Sequence, residues 1–128
     1  MQSLCERTPK VVASDIIQEF VVPKRFAHTT FSNYVANPEI ESQGFAKSRV
    51  SDFAGHIAPK RSLFRRSAGV KAGIYLDGGF GVGKTHLLTA LWHQYGTKST
   101  YGSFVEYTNL VGALGFQSAV DTLAKSRD

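Results

Sequence analysis

Four glycines, a lysine and a threonine stand close together in the sequence GGFGVGKT of residues 78–85. Their spacing matches the phosphate-binding loop pattern G-x-x-x-x-G-K-[ST], in which glycines allow backbone N–H groups to surround phosphate oxygens. In that pattern the lysine ammonium contacts the β- and γ-phosphates, and the threonine hydroxyl is a ligand of Mg²⁺. The segment therefore predicts a site for the polyphosphate chain of a nucleotide.

The predicted site is one continuous segment of the chain. We assign the catalytic role to Lys84 and the role of Mg²⁺ ligand to Thr85. His86 is included because it follows in the same helical turn, although a histidine at such a place is more often only partly exposed. The predicted nucleotide-binding residues are Gly78, Gly79, Phe80, Gly81, Val82, Gly83, Lys84, Thr85 and His86.

A phosphate-binding loop lies between a strand and a helix, and the segments on both sides of this loop have the matching sequence patterns. Residues 73–77, GIYLD, form a short apolar run that is typical of a buried parallel strand. From Thr85 to Tyr95 apolar residues recur at helical spacing, and Gly96 predicts the end of that helix. A helix beginning at the loop adds its unpaired N–H groups and the positive end of its dipole to an anion site.

The rest of the chain predicts further helices and one more strand. The predicted elements are a helix within residues 11–22 with Ser14 as N-cap, an amphipathic helix at 42–57, a strand at 101–107 and helices at 108–114 and 117–125. Residues 26–38 predict an irregular segment. Its aromatic residues Phe31 and Tyr34 could cover a purine base, but rings at this spacing more often pack in a core.

Composition narrows the class of protein without identifying a function. A chain of 128 residues that is 42% apolar is long enough for a globular domain with a core. The net charge of +5 suits an anionic partner but is ordinary for a small domain, and the basic stretch Lys60–Lys71 predicts a solvated loop. A single cysteine, Cys5, and the lack of a secretory or membrane-spanning segment predict a cytoplasmic protein. The spacing of the histidines does not predict a zinc site.

Hydrolysis of a bound nucleotide needs an acidic residue at the end of another strand. After Lys84 the acidic residues are Glu106, Asp121 and Asp128, and only Glu106 ends a strand-like segment. We therefore expect the first part of a longer ATPase, truncated before the acidic (Walker B) strand and showing little hydrolysis by itself. The expected fold is α/β, a P-loop NTPase with a parallel sheet flanked by helices.

Three segments of the chain resemble the ZapE family of cell-division ATPases, and in particular its actinobacterial members. They are VVPKRFAHTTFSNYVANPEIESQ (residues 21–43), GIYLDGGFGVGKTHLLTALWH (73–93) and FVEYTNLVGALGF (104–116). The resemblance extends from about residue 9 to residue 123 and is strongest across the loop. It implies an AAA+-type ATPase that binds ATP and Mg²⁺ at residues 78–85 and acts in cell division at the inner face of the membrane.

The order of the predicted elements divides the chain into two parts, and the resemblance adds a set of partners. Residues 1–71 are expected to form an N-terminal arm, an amphipathic helix and a basic loop, and residues 72–128 the first part of the ATPase domain. The expected partners are a nucleoside triphosphate, cell-division proteins and further copies of the chain, with contact to nucleic acid left open. Two alternatives stand beside the cell-division ATPase. One is a helicase-loader-like ATPase that binds single-stranded DNA, and the other is a nucleotide-gated interaction module without turnover.

Overall fold

The computed structural model describes residues 12–57, 73–96 and 99–125. The helices in these ranges are α1 (Ala13–Ile17), a 3-10 helix (Lys24–Phe26), α2 (Glu41–Ile57), α3 (Lys84–Tyr95), α4 (Phe104–Leu114) and α5 (Phe116–Lys125). No helix of the described part is long and apolar enough to cross a membrane. The described residues belong to two compact units, one within residues 23–96 and the other combining residues 12–22 with 99–125.

The predicted parallel sheet is wrong, because the described residues contain no β-strand. Residues 73–78 have no regular secondary structure, although their burial alternates as it does along a strand. Ile74 and Leu76 are half-buried, whereas Tyr75 and Asp77 are exposed. A strand requires backbone hydrogen bonds to a neighbouring strand, and the described ranges supply none. The predicted buried strand is therefore wrong in its backbone pairing, and of its side chains only Ile74 and Leu76 are even half-buried.

The second predicted strand, residues 101–107, instead contains the start of α4 at Phe104. Ser103 is the N-cap: its hydroxyl accepts a hydrogen bond from the Glu106 N–H at 3.3 Å, and the Glu106 carboxylate accepts one from the Ser103 N–H. This reciprocal pair is a capping box, which satisfies two backbone donors at the helix start. The pattern Ser-x-x-Glu before an apolar run was thus a signal for this helix that the strand interpretation missed.

The other helix predictions are confirmed with shifts at their ends. The helices predicted at 42–57, 85–95 and 117–125 correspond to α2, α3 and α5, and Gly96 is the C-cap of α3 as expected. The first helix forms, but its N-cap is Val12 rather than Ser14. The predicted basic loop and the predicted boundary at residues 71 and 72 lie outside the described residues.

The core of the unit within residues 23–96 lies where α2 packs against α3. Tyr34, Val50 and Leu87 form its buried cluster, and the half-buried Ile74 and Leu76 pack on them. Thr29 and Thr89 are also buried, and their hydroxyls lie 2.7 Å apart in a hydrogen bond between the N-terminal segment and α3. These contacts hold the segment before residue 78 and the helix after residue 83 in place, and so define both ends of the loop.

The other unit is a small helical assembly in which α4 packs against both α1 and α5. Leu110 of α4 and Ala119 of α5 are completely buried in it. The ring of Phe20 lies directly on Gly102, where an added Cβ would stand 2.4 Å from the ring Cδ1. A side chain at position 102 would therefore displace the ring.

Candidate phosphate-binding site

The backbone of the glycine-rich loop adopts conformations that other residues rarely take. Gly78, Gly81 and Gly83 have φ angles of +139°, +73° and +94°. Val82 lies between two of them with a negative φ, because no described residue other than glycine has a positive one. Alternation of this kind turns successive N–H groups toward one side and forms a concave anion site. The glycines of the motif are therefore required by the conformation.

Space beside the loop is open where a ligand would approach. A Cβ added to Gly79 or Gly81 would meet no atom within 4 Å, and the Phe80 side chain is fully exposed. The loop borders a cleft of ≈ 180 Å³ that is also lined by Tyr34, Ala46 and Leu87. Typical ligand pockets measure roughly 300–1,000 Å³, so this cleft has room for one part of a nucleotide.

The Lys84 ammonium lies across the loop. Its Nζ donates hydrogen bonds to the carbonyl oxygens of Gly78, at 2.8 Å, and Gly79, at 2.6 Å. An ammonium has three donors, so two such bonds leave one N–H for an additional acceptor. A cation in the first turn of a helix is opposed by the positive end of the helix dipole, whereas a bound anion would reverse that effect. The position of Lys84 is thus unfavourable for the helix alone and suited to an anionic ligand.

The N-terminus of α3, like Lys84, is suited to an anionic ligand. Its N-cap is Gly83, no side-chain cap is formed, and the first turn contains no acidic residue. The first N–H groups of the helix therefore have no side-chain acceptor among the described residues. Helix starts of this kind bind phosphate through those N–H groups and the helix dipole.

The structure places the two residues after Lys84 in different surroundings. Thr85 is half-buried, and its carbonyl accepts a hydrogen bond from the Thr89 hydroxyl at 2.8 Å. The Nε2 of His86 lies 3.0 Å from the carbonyl oxygen of Thr30 and 2.8 Å from the Oδ1 of Asn33. A carbonyl only accepts, so this nitrogen carries a proton and is engaged with the N-terminal segment. The predicted contact of His86 with a phosphate stays a prediction.

Sequence reasoning missed the part that the N-terminal segment has in this site. Tyr34 is buried, as the packing interpretation predicted, but its hydroxyl also donates to the carbonyl of Val82 inside the loop, at 2.9 Å. A buried tyrosine hydroxyl needs a partner, which one sequence does not identify. The partner lies 48 positions away along the chain, so no local pattern could have indicated it.

An AFG1-like ATPase family model matches residues 11–108, which is more than half of the chain and includes the whole loop. The chain belongs to the AFG1-like ATPase family. This match supports the coarser part of the ZapE prediction, an AAA+ ATPase family of the AFG1/ZapE type. Membership of an ATPase family implies binding of a nucleoside triphosphate. Among curated proteins and solved structures none matches significantly.

Proposed function

We propose that residues 78–85 of this AFG1-like ATPase bind the triphosphate of ATP together with Mg²⁺. The observation that supports this most strongly is the Lys84 ammonium, which lies across a loop of alternating φ at the uncapped start of α3. In the proposed complex Lys84 contacts phosphate oxygens and the backbone N–H groups of the loop surround them. The residues present fit the ligand, since open space lies beside Gly79 and Gly81.

Thr85 is the proposed ligand of Mg²⁺. The Thr85 hydroxyl would hold the ion, which would reduce the negative charge of the phosphates. The role of the chain is to place the Thr85 hydroxyl next to the residue that holds the phosphates. The hydrogen bond from Thr89 to the Thr85 carbonyl fixes this turn of the helix, and Thr89 is itself fully buried.

Replacing Thr85 by alanine should weaken ATP binding only when Mg²⁺ is present. We expect the affinity for a fluorescent ATP analogue to fall by about ten-fold or more in Mg²⁺, as for the loss of a group that supports a metal. The affinity in EDTA should stay the same. Thr122→Ala is the matched control, because the Thr122 hydroxyl bonds to a carbonyl within α5 and should affect neither titration. Equal losses with and without Mg²⁺ would contradict the proposed metal role.

The family is one of ATPases, and we propose that the 128-residue chain binds ATP with little turnover. Hydrolysis needs a carboxylate that holds Mg²⁺ and a group that orients the attacking water. In the described ranges Asp77 is the one carboxylate that lines the cleft, so no second acidic group there could orient the attacking water, and the Glu106 carboxylate is engaged in the cap of α4. A phosphate-release assay should therefore give a rate far below roughly 1 s⁻¹, the lower end of ordinary turnover. A rate in the ordinary range would contradict this proposal.

A role in cell division is a further proposal, supported by the resemblance of residues 21–43, 73–93 and 104–116 to the ZapE family. We propose that the protein acts in the cytoplasm, at the inner face of the membrane. A fluorescent fusion to the protein in its native cells should accumulate at division sites, and depletion should give elongated cells. A uniformly distributed fusion with normal division would contradict the role.

A further inference from the structure

We propose that Tyr34 is a positioning residue for the phosphate-binding loop. Its hydroxyl fixes the peptide unit between Val82 and Gly83, so that the Gly83 N–H is held ready for a phosphate oxygen. This inference rests on the proposed function, because it concerns how the same loop is shaped for its ligand.

The contact between Tyr34 and the loop is close and buried. The Tyr34 side chain is 6% exposed, and its hydroxyl donates to the Val82 carbonyl at 2.9 Å. The ring also lies on Gly83, since a Cβ added there would stand 2.3 Å from Cε2 of the tyrosine. The ring and the hydroxyl thus contact adjacent residues of the loop, immediately before Lys84.

Because the peptide bond is planar, the contact with the Val82 carbonyl also determines the direction of the Gly83 N–H. In a planar trans peptide the C=O and the following N–H point in opposite directions. Fixing the Val82 oxygen on the side of Tyr34 therefore directs the Gly83 N–H away from Tyr34. The positive φ of Gly83, +94°, maintains the turn into α3 from that peptide unit.

Tyr34 is itself held from two other directions. The Nζ of Lys47, in α2, donates to the Tyr34 carbonyl at 3.1 Å. The tyrosine ring meets the His86 ring edge to face, with centroids 5.4 Å apart, and His86 is in turn bonded to Asn33. Tyr34 is therefore restrained at its backbone carbonyl and at its ring, as a residue that orients a peptide requires.

The test compares Tyr34→Phe with Tyr95→Phe. Both variants lose a tyrosine hydroxyl that donates to a backbone carbonyl within residues 23–96, because Tyr95 donates to the carbonyl of Ala54. We expect Tyr34→Phe to lower the affinity for MgATP by about three- to ten-fold, as for one hydrogen bond. The affinity for inorganic tripolyphosphate with Mg²⁺ should fall by the same factor. Tyr95→Phe should change neither affinity.

The remaining outcomes overturn the inference in distinguishable ways. Unchanged affinities in Tyr34→Phe, or equal losses in both variants, would show that the hydroxyl has no specific effect on the loop. A loss for ATP without a loss for tripolyphosphate would place its effect on the nucleoside. If the unsubstituted chain bound neither ligand, the proposed function would fail and this inference with it.

A second measurement uses only the unsubstituted chain, so it does not depend on whether a variant folds. In the unsubstituted chain, tripolyphosphate with Mg²⁺ should shift the backbone amide resonance of Gly83 in a two-dimensional NMR spectrum. The amide of Gly96, at the other end of α3, should move much less. A Gly83 amide that does not respond while the ligand binds would overturn the inference.

Discussion

Lys84→Ala should reduce the affinity of the chain for MgATP by about a hundred-fold, an effect of the size expected when a charged hydrogen bond to a ligand is lost. The ammonium lies within 2.8 Å of two loop carbonyls, beside the loop that is proposed to bind the phosphates. Its removal takes away both the charge that attracts the phosphates and the contact that organises the loop. Isothermal titration calorimetry with MgATP measures the loss.

Two further variants show whether the position of this charge is what matters. Lys24→Ala removes the same charge from the 3-10 helix and should leave the affinity unchanged. Lys84→Arg keeps the charge but replaces a compact ammonium by a planar fork, so it should recover only part of the binding. If Lys84→Ala bound MgATP as tightly as the unsubstituted chain, the assignment of the phosphate site to this loop would be contradicted.

Gly83→Ala should lower the free energy of unfolding by about 2–5 kcal/mol and abolish measurable MgATP binding. Two costs add at this position. A φ of +94° strains any residue with a Cβ, by roughly 1–2 kcal/mol. The new methyl group would also stand 2.3 Å from Cε2 of the buried Tyr34, which adds about 1–3 kcal/mol of overpacking. Urea denaturation measures the change in stability.

The neighbouring glycines separate these two costs. Gly81→Ala has the strain of a positive φ, +73°, but meets no atom within 4 Å, so it should cost about 1–2 kcal/mol. Gly79→Ala has neither a positive φ nor a close neighbour and should leave stability nearly unchanged. Similar losses at all three positions would show that Tyr34 does not pack on the loop as described.

The conformation of the loop could be predicted because it is local in sequence. Eight consecutive residues have the spacing of a phosphate-binding loop. That spacing accounts for the positive φ angles at Gly78, Gly81 and Gly83 and for the approach of Lys84 to the loop. The helix after the loop was predictable for the same reason, since its apolar spacing and Gly96 are both local signals.

The errors concern interactions that a local pattern does not specify. Residues 73–77 have the alternation of a strand, but a strand depends on a partner elsewhere in the chain. At residues 101–107 the strand interpretation gave weight to the apolar and aromatic side chains, whereas the Ser103–Glu106 capping box determines the structure. The burial of Tyr34 was predictable from its type, but its bond to Val82 depends on how two distant segments pack.

Equilibrium dialysis of the unsubstituted chain against labelled ATP with Mg²⁺ tests the central claim most directly, namely that residues 78–85 hold a triphosphate. The account predicts saturable binding of one ATP per chain, which inorganic tripolyphosphate displaces and which is about a hundred-fold weaker in Lys84→Ala. Equal ATP concentrations on both sides of the membrane, with the chain shown to be folded, would contradict it.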